Sequence, residues 1–145
     1  MDRSAIAMSL IVASGLIAAA ITGQDARAAE EKEAYVSPGA DKTTLISEPL
    51  PGVEAQVVTI DHYTLPPGWI GGKHYHTGPV YVYVLEGSFA IDEQGKERRT
   101  LKAGELYKEP LGAPMQARNL NASEPLKIVV FQVTPEGEPQ MVKAD

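Results

Sequence analysis

Short runs of β-branched, aromatic or alternating residues follow one another along most of the chain. The runs cover residues 53–65, 80–85, 88–92, 97–101, 104–109, 115–119 and 126–133. Turn-forming residues separate them, for example Pro66-Pro67-Gly68 and Pro110-Leu111-Gly112. Such runs predict strands, and no stretch beyond residue 28 shows the periodicity of a helix. Roughly seven or eight short strands at near-regular spacing predict an all-β sandwich or barrel.

The first residues have a different pattern, which is typical of a secretory signal peptide. Arg3 provides a positive start, residues 5–21 are apolar and rich in Ala, Ile and Leu, and Ala26-Arg27-Ala28 has the small-x-small pattern of a cleavage site. We therefore predict a signal peptide over residues 1–28, cleavage before Ala29, and a periplasmic or secreted protein. A retained membrane anchor is the alternative, although the apolar run is slightly short for a span of ~20 residues.

The part beyond the leader is expected to be a single domain with an N-terminal extension. Residues 29–42 are polar and charged, and Ser37-Pro38-Gly39 opposes a helix, so we predict a flexible arm there. Residues 43–145 then form one domain, as expected for this length.

Charge and cysteine content exclude several classes of function. The formal net charge is −6, and the chain has no basic cluster longer than Arg98-Arg99. Nucleic-acid binding is therefore not expected, because it needs a basic patch. We also expect no contact with a membrane once the leader is removed. The absence of cysteine excludes disulfides, thiolate metal ligands and cysteine nucleophiles.

The candidate chemistry lies in residues 68–87, which contain two of the three histidines, His74 and His76. Their spacing places both imidazoles on one face of a strand, because side chains alternate across it. Two neutral imidazoles on one face make half of a metal site. Val80 and Val82 continue this face if the alternation holds through the intervening turn, so an apolar pocket is expected around the pair.

The spacing of these residues resembles that of the cupin superfamily over about residues 43–134. The first motif of that family contains a glycine, His-x-His, a glutamate and a second glycine, and the second motif contains a glycine, Pro-x-Gly, a histidine and an asparagine. Eight residues of this chain fall in register with the two motifs: Gly68, His74, His76, Gly87, Gly104, Pro110, Gly112 and Asn119.

The resemblance implies a single-domain cupin jelly-roll β-barrel, a fold that is often dimeric and that often holds one transition metal. A homodimer is therefore a possible state, in which the arm over residues 29–42 could cross to the second copy. The ligands in metal-binding members are the two histidines of the first motif, its glutamate, and the histidine of the second motif. This chain departs at the last two positions, where it has Val80 and Met115.

The remaining ligand set favours a soft metal ion. Fe(II) and Mn(II) sites of this type need a carboxylate, which Val80 removes. A doubly charged ion is also costly to bury among neutral ligands, because the solvation energy grows with the square of the charge. Cu(I) accepts both imidazole and thioether ligands. We therefore predict that one transition metal, with copper favoured, binds through His74, His76 and Met115; catalytic residues are not assigned.

Two other functions remain open from the sequence. Met115 could simply fill the core, which would leave a metal-free cupin that binds a small ligand. Alternatively, the protein could be a cupin enzyme, an oxygenase or isomerase acting on a small organic substrate. His62 would be a third imidazole in the pocket if the face of Val58 and Ile60 points inward, and a surface residue if it does not. Glu109 is expected to be solvated at a strand end.

Overall fold

The computed structural model describes residues 32–145, which form ten β-strands. The strands are β1 (Asp41–Pro49), β2 (Gln56–Leu65), β3 (His74–His76), β4 (Val80–Glu86), β5 (Ser88–Glu93), β6 (Arg99–Lys102), β7 (Leu106–Glu109), β8 (Met115–Asn119), β9 (Leu126–Pro135) and β10 (Met141–Lys143). The predicted all-β class is confirmed. Within residues 32–145, no helix has the length and hydrophobicity needed to cross a membrane. The predicted signal peptide, residues 1–28, lies outside the described residues.

The strands form two antiparallel sheets of five strands each, in the orders β1-β2-β9-β4-β7 and β10-β3-β8-β5-β6. Residues from both sheets meet in one hydrophobic core, for example Val84 and Leu126 of the first sheet with Phe89 and Ile91 of the second. Most predicted runs coincide with strands to within a few residues, because one face of these strands is buried and the sequence alternates accordingly.

The edge strand β1 shows where alternation fails as a signal. It begins at Asp41, two residues before the predicted start of the domain, and all nine of its residues are exposed. Because neither face is covered, no apolar period marks the strand in the sequence. β1 pairs with β2 along most of its length, with an irregularity between Thr44 and Ile46.

The residues shared with the cupin motifs have structural roles at the ends of strands. Gly87 and Gly104 both have φ of 88°, a conformation that favours glycine. Asn119 is buried, and its amide group donates to the carbonyl oxygens of Leu65, Pro66 and Glu124 at 3.2, 3.0 and 2.9 Å. These bonds fasten the end of β8 to the loops that follow β2 and precede β9.

The described part of the predicted arm lies against the sheets. The backbone N–H of Tyr35 donates to Met141 O at 2.9 Å, and Ala34 pairs with Val142 in an isolated bridge. The indole of Trp69 donates to Pro38 O at 2.7 Å. Residues 34–38 are therefore attached to β10 and to the loop that follows β2.

Candidate functional site

A small pocket of about 50 Å³ lies between the two sheets and contains both motif histidines. Its walls are mainly apolar and include six such side chains: Leu65, Trp69, Val82, Phe89, Ile128 and Val130. The polar groups that reach it are few, chiefly His74, His76, Glu109 and Gln132. A volume of this size holds only a few water-sized groups.

His76 lies between two buried polar side chains. Its Nδ1 is 3.2 Å from Gln132 Oε1, and its Nε2 is 2.8 Å from Glu109 Oε2. The amide of Gln132 donates through Nε2 to Gln140 O at 2.6 Å, which orients its oxygen toward the imidazole. Because that oxygen can only accept, Nδ1 of His76 carries a proton.

The contact between His76 and Glu109 therefore requires a further proton. With its proton on Nδ1, a neutral imidazole presents a lone pair at Nε2, which a carboxylate at 2.8 Å would repel. Either the imidazole is charged or the carboxyl is protonated. Glu109 Oε2 is buried, and no donor in the described part of the chain forms a well-aligned hydrogen bond to it. The two groups thus lie close together with poor hydrogen-bond geometry.

His74 presents a different protonation state. Its Nδ1 donates to Gly72 O at 3.0 Å, since a carbonyl can only accept. Burial lowers the pKa of His74 below its ordinary value, and this outweighs the opposing effect of its hydrogen bond to Gly72. The ring is thus neutral near pH 7 and carries a lone pair on Nε2. The rings of His74 and His76 meet edge to face with centroids 5.2 Å apart.

Of the three residues predicted to line the pocket besides the ligands, the structure places only Val82 in its wall. Val82 lines it, whereas Val80 is buried beside it as the register partner of Glu109 and Gln132. His62 lies on the opposite face of β2 from Tyr63 and Leu65, which line the pocket, and it is partly exposed.

The predicted ligand Met115 does not line the pocket. It is the register partner of His74 across β3 and β8 and is 2% exposed. It borders a separate cavity with Lys73 and Asp92. A thioether does line the histidine pocket, but it belongs to Met141, the register partner of His76.

The expectation that Glu109 is solvated is wrong, because its side chain is 6% exposed and reaches His76. The sequence holds a signal for this position. Glu109 has the same parity as the aromatic Tyr107 on β7, and both are buried while Leu106 and Lys108 are exposed. Tyr63 and Gln132 also reach the pocket. Each shares its strand parity with a buried apolar residue, Leu65 on β2 and Ile128 on β9, so the same kind of signal marks them.

The side chains are not arranged as a preformed metal site. Both nitrogens of His76 and Nδ1 of His74 already have partners, so a metal on His76 Nε2 would have to displace Glu109. Within residues 32–145, no three side chains of the His, Asp, Glu or Cys type are placed to hold a metal ion. Copper binding through His74, His76 and Met115 stays a prediction.

Comparison with known proteins identifies the family. Residues 61–132 match the model of the cupin domain family, and solved cupin structures share the fold. The chain belongs to the cupin superfamily. A cupin 2 domain-containing protein from Halorhodospira halophila superposes with a TM-score of 0.60 at 22% identity, over 74% of this chain and 71% of that one.

Two further proteins are similar to this cupin over about 70% of its length. The DMSP lyase DddQ from Ruegeria pomeroyi superposes with a TM-score of 0.58 at 21% identity, over 72% of this chain but only 51% of the lyase. An uncharacterized protein from Methanocaldococcus jannaschii is 27% identical over 104 residues, which are 72% of this chain and 84% of that protein. At these identities, the solved structures show a common fold.

Proposed function

We propose that this cupin binds a small, neutral organic molecule in the pocket between its sheets. The observation that carries the proposal is the His76–Glu109 pair, which is buried in the wall of an otherwise apolar cavity. Buried charged groups without a structural need are costly and concentrate at functional sites. A few convergent polar groups in an apolar pocket are the usual features of a ligand site.

The polar groups indicate the chemistry of the ligand. His74 Nε2 offers an acceptor. The His76–Glu109 pair offers a proton that lacks a well-aligned acceptor and a carboxyl oxygen that accepts. A hydroxyl or an un-ionised acid group would satisfy both, because it donates and accepts at once. An anion is disfavoured by the carboxylate of Glu109 and by the net charge of −6. The small cavity limits the ligand to a compact molecule, or requires the walls to move apart.

A second candidate function is acid–base catalysis on the bound molecule. The extra proton that the His76–Glu109 contact requires, next to the unprotonated Nε2 of His74, supplies an acid and a base in one water-poor site. Isomerisation or elimination are the reaction classes that such a pair serves. The distance between the two imidazole centroids, 5.2 Å, lets both reach one small substrate.

The proposal is tested by screening small alcohols, ketones and carboxylic acids by NMR on purified protein. We expect ligands to shift the ring resonances of His74 and His76, and Glu109→Gln to weaken binding by about tenfold, the effect of one charged hydrogen bond. His62→Gln is the matched control and should bind as tightly as the wild type, because His62 faces away from the pocket. Equal affinity in Glu109→Gln would refute recognition by the pair.

We also propose that the protein is exported, as the leader suggests, and that it has a copper site. Copper is measured in the same samples. Stoichiometric Cu(I) binding that Met115→Leu abolishes would favour the predicted ligand set, whereas loss in Met141→Leu would favour the thioether that lines the pocket. Elemental analysis and the N-terminal sequence of protein from its native host check both proposals.

A further inference from the structure

We propose that Tyr35 is a positioning residue for His74, so that the N-terminal segment forms part of the binding site. The segment concerned is residues 34–38, here called the strap. It lies in the region that the sequence predicts to be a flexible arm, and nothing in the two cupin motifs points to it.

Tyr35 holds His74 in two ways. The two rings stack, with centroids 4.8 Å apart and planes within 7°. The tyrosine hydroxyl also accepts from the backbone N–H of Gly72 at 2.6 Å. Gly72 in turn accepts the Nδ1 proton of His74 through its carbonyl oxygen, at 3.0 Å. Tyr35, Gly72 and His74 thus form a closed set of contacts that determines both the plane of the imidazole and the nitrogen that carries its proton.

The glycine at position 72 gives independent support for this arrangement. A Cβ atom there would lie 2.8 Å from the tyrosine ring, which is closer than real Cβ atoms come to their neighbours. Only a residue without a side chain lets the tyrosine ring reach this position without a shift. The backbone beside His74 is therefore shaped to accommodate Tyr35.

The strap is attached on both sides of Tyr35, so the ring is held in place. The backbone N–H of Tyr35 donates to Met141 O at 2.9 Å, and Pro38 O accepts from the Trp69 indole at 2.7 Å. Ser37 lines the histidine pocket directly. The strap covers His74, which is 5% exposed.

The consequence for function is that Tyr35 keeps the lone pair of His74 on Nε2. In the described part of the chain, Nε2 has no hydrogen-bond partner and is the nitrogen available to a ligand. This inference rests on the proposed function only in that His74 lines the ligand pocket. Its test uses no ligand, so it can fail while the binding proposal stands, and the reverse also holds.

The test compares the wild type with Tyr35→Leu, Tyr35→Phe and the control Tyr83→Leu, which changes an exposed tyrosine of β4. Nitrogen-15 NMR reports the tautomer of each histidine, and labelling by diethyl pyrocarbonate with mass spectrometry reports its accessibility. His62 and His76 serve as internal references in every sample.

In the wild type and Tyr83→Leu, we expect His74 to carry its proton on Nδ1 and to react slowly. Tyr35→Leu should mix the two tautomers and raise the reactivity of His74 about tenfold relative to His62, since a ring contact and a hydrogen bond are lost. Tyr35→Phe should preserve the tautomer, because the stack remains, while the Gly72 amide exchanges about tenfold faster.

Two results would overturn the inference. One is a folded Tyr35→Leu variant in which the tautomer and the reactivity of His74 are both unchanged. If Tyr35→Leu unfolds, all three histidines become reactive together, and Tyr35→Phe decides instead. An unchanged Gly72 amide exchange rate in Tyr35→Phe would then show that the hydroxyl does not position this backbone.

Discussion

At the scale of single residues, the main feature is a buried pair of ionisable side chains in an apolar setting. His76 and Glu109 are each 6% exposed, and their contact is 2.8 Å. The cost of removing two charges from water often equals or exceeds their mutual attraction, so such a pair does not by itself stabilise a fold. Removing one partner is a different matter, because the other then remains buried without compensation.

We predict strong coupling between these two residues. His76→Leu and Glu109→Leu should each lower the free energy of unfolding by about 3 kcal/mol, and the double variant should lose less than the sum by about 1–3 kcal/mol. Urea unfolding of the four proteins measures this coupling. Additive effects would show that the two groups do not form a pair.

An exposed ion pair gives the matched comparison. Lys127 and Glu86 are 2.9 Å apart on neighbouring strands, but their side chains are 36% and 61% exposed. Glu86→Gln should change stability by less than about 1 kcal/mol, because solvent screens such pairs. If Glu86→Gln lowered the free energy of unfolding as much as Glu109→Leu, burial would not distinguish the two ion pairs.

At the scale of elements, the turn between β3 and β4 decides which side chains meet. Thr77 Oγ1 donates to Pro139 O at 2.7 Å, and Val133 N donates to Pro79 O at 3.1 Å. The turn is thereby fixed to β9 and to the loop before β10. This attachment places His76 at the end of β3 against Gln132 of β9.

We predict that Gly78→Ala is strongly destabilising. A Cβ at this position would lie 1.8 Å from Val133 O, a backbone atom that cannot move aside without displacing β9. The expected loss is at least about 3 kcal/mol, which is large for a single methyl group. Thermal unfolding measures it, and a change in the His76 resonances would show the effect on the site.

Gly52→Ala is the control for this prediction. Gly52 has φ of 78° but open space around it, so an alanine there meets only backbone strain. That strain costs roughly 1–2 kcal/mol. If Gly78→Ala were as mild as Gly52→Ala, the close approach of the turn to β9 would not be significant for stability.

At the scale of the whole molecule, packing of the two sheets holds the side chains of Tyr63 and Tyr107 out of most of the solvent. Burial raises the pKa of Tyr107 to about 12, and its hydrogen bond to Glu93 acts in the same direction. Burial also raises the pKa of Tyr63, which lies in the pocket wall near Asp61 and Glu109. Both groups bind their proton more tightly in the folded state than in the unfolded chain.

This predicts a loss of stability at alkaline pH. The free energy of unfolding should be independent of these tyrosines below about pH 10, where both states are protonated, and should fall as the pH rises toward 12. Urea unfolding between neutral and alkaline pH measures the slope. Tyr107→Phe should reduce it, and Tyr83→Phe, at an exposed position, should not. An unchanged slope in Tyr107→Phe would refute the assignment.

Much of this fold could be predicted from the sequence, because one side of most strands is buried and the residues alternate accordingly. The runs at 115–119 and 80–85 match β8 and β4 closely. The register of the two motifs also predicted the cupin family, and the spacing of His74 and His76 predicted that both lie on one face of a strand. Strands without a buried face, such as β1, left no such pattern.

Tertiary structure decided the composition of the site, because contacts between distant strands are not encoded in local periodicity. The pairing of β4 with β7 and β9 brings Glu109 and Gln132 to His76. The face of β2 that turns inward carries Tyr63 and not His62. Packing of the strap adds Tyr35 to His74. The sequence by itself determined most of the strands and the histidine pair, and the packing of the two sheets decided which groups surround that pair.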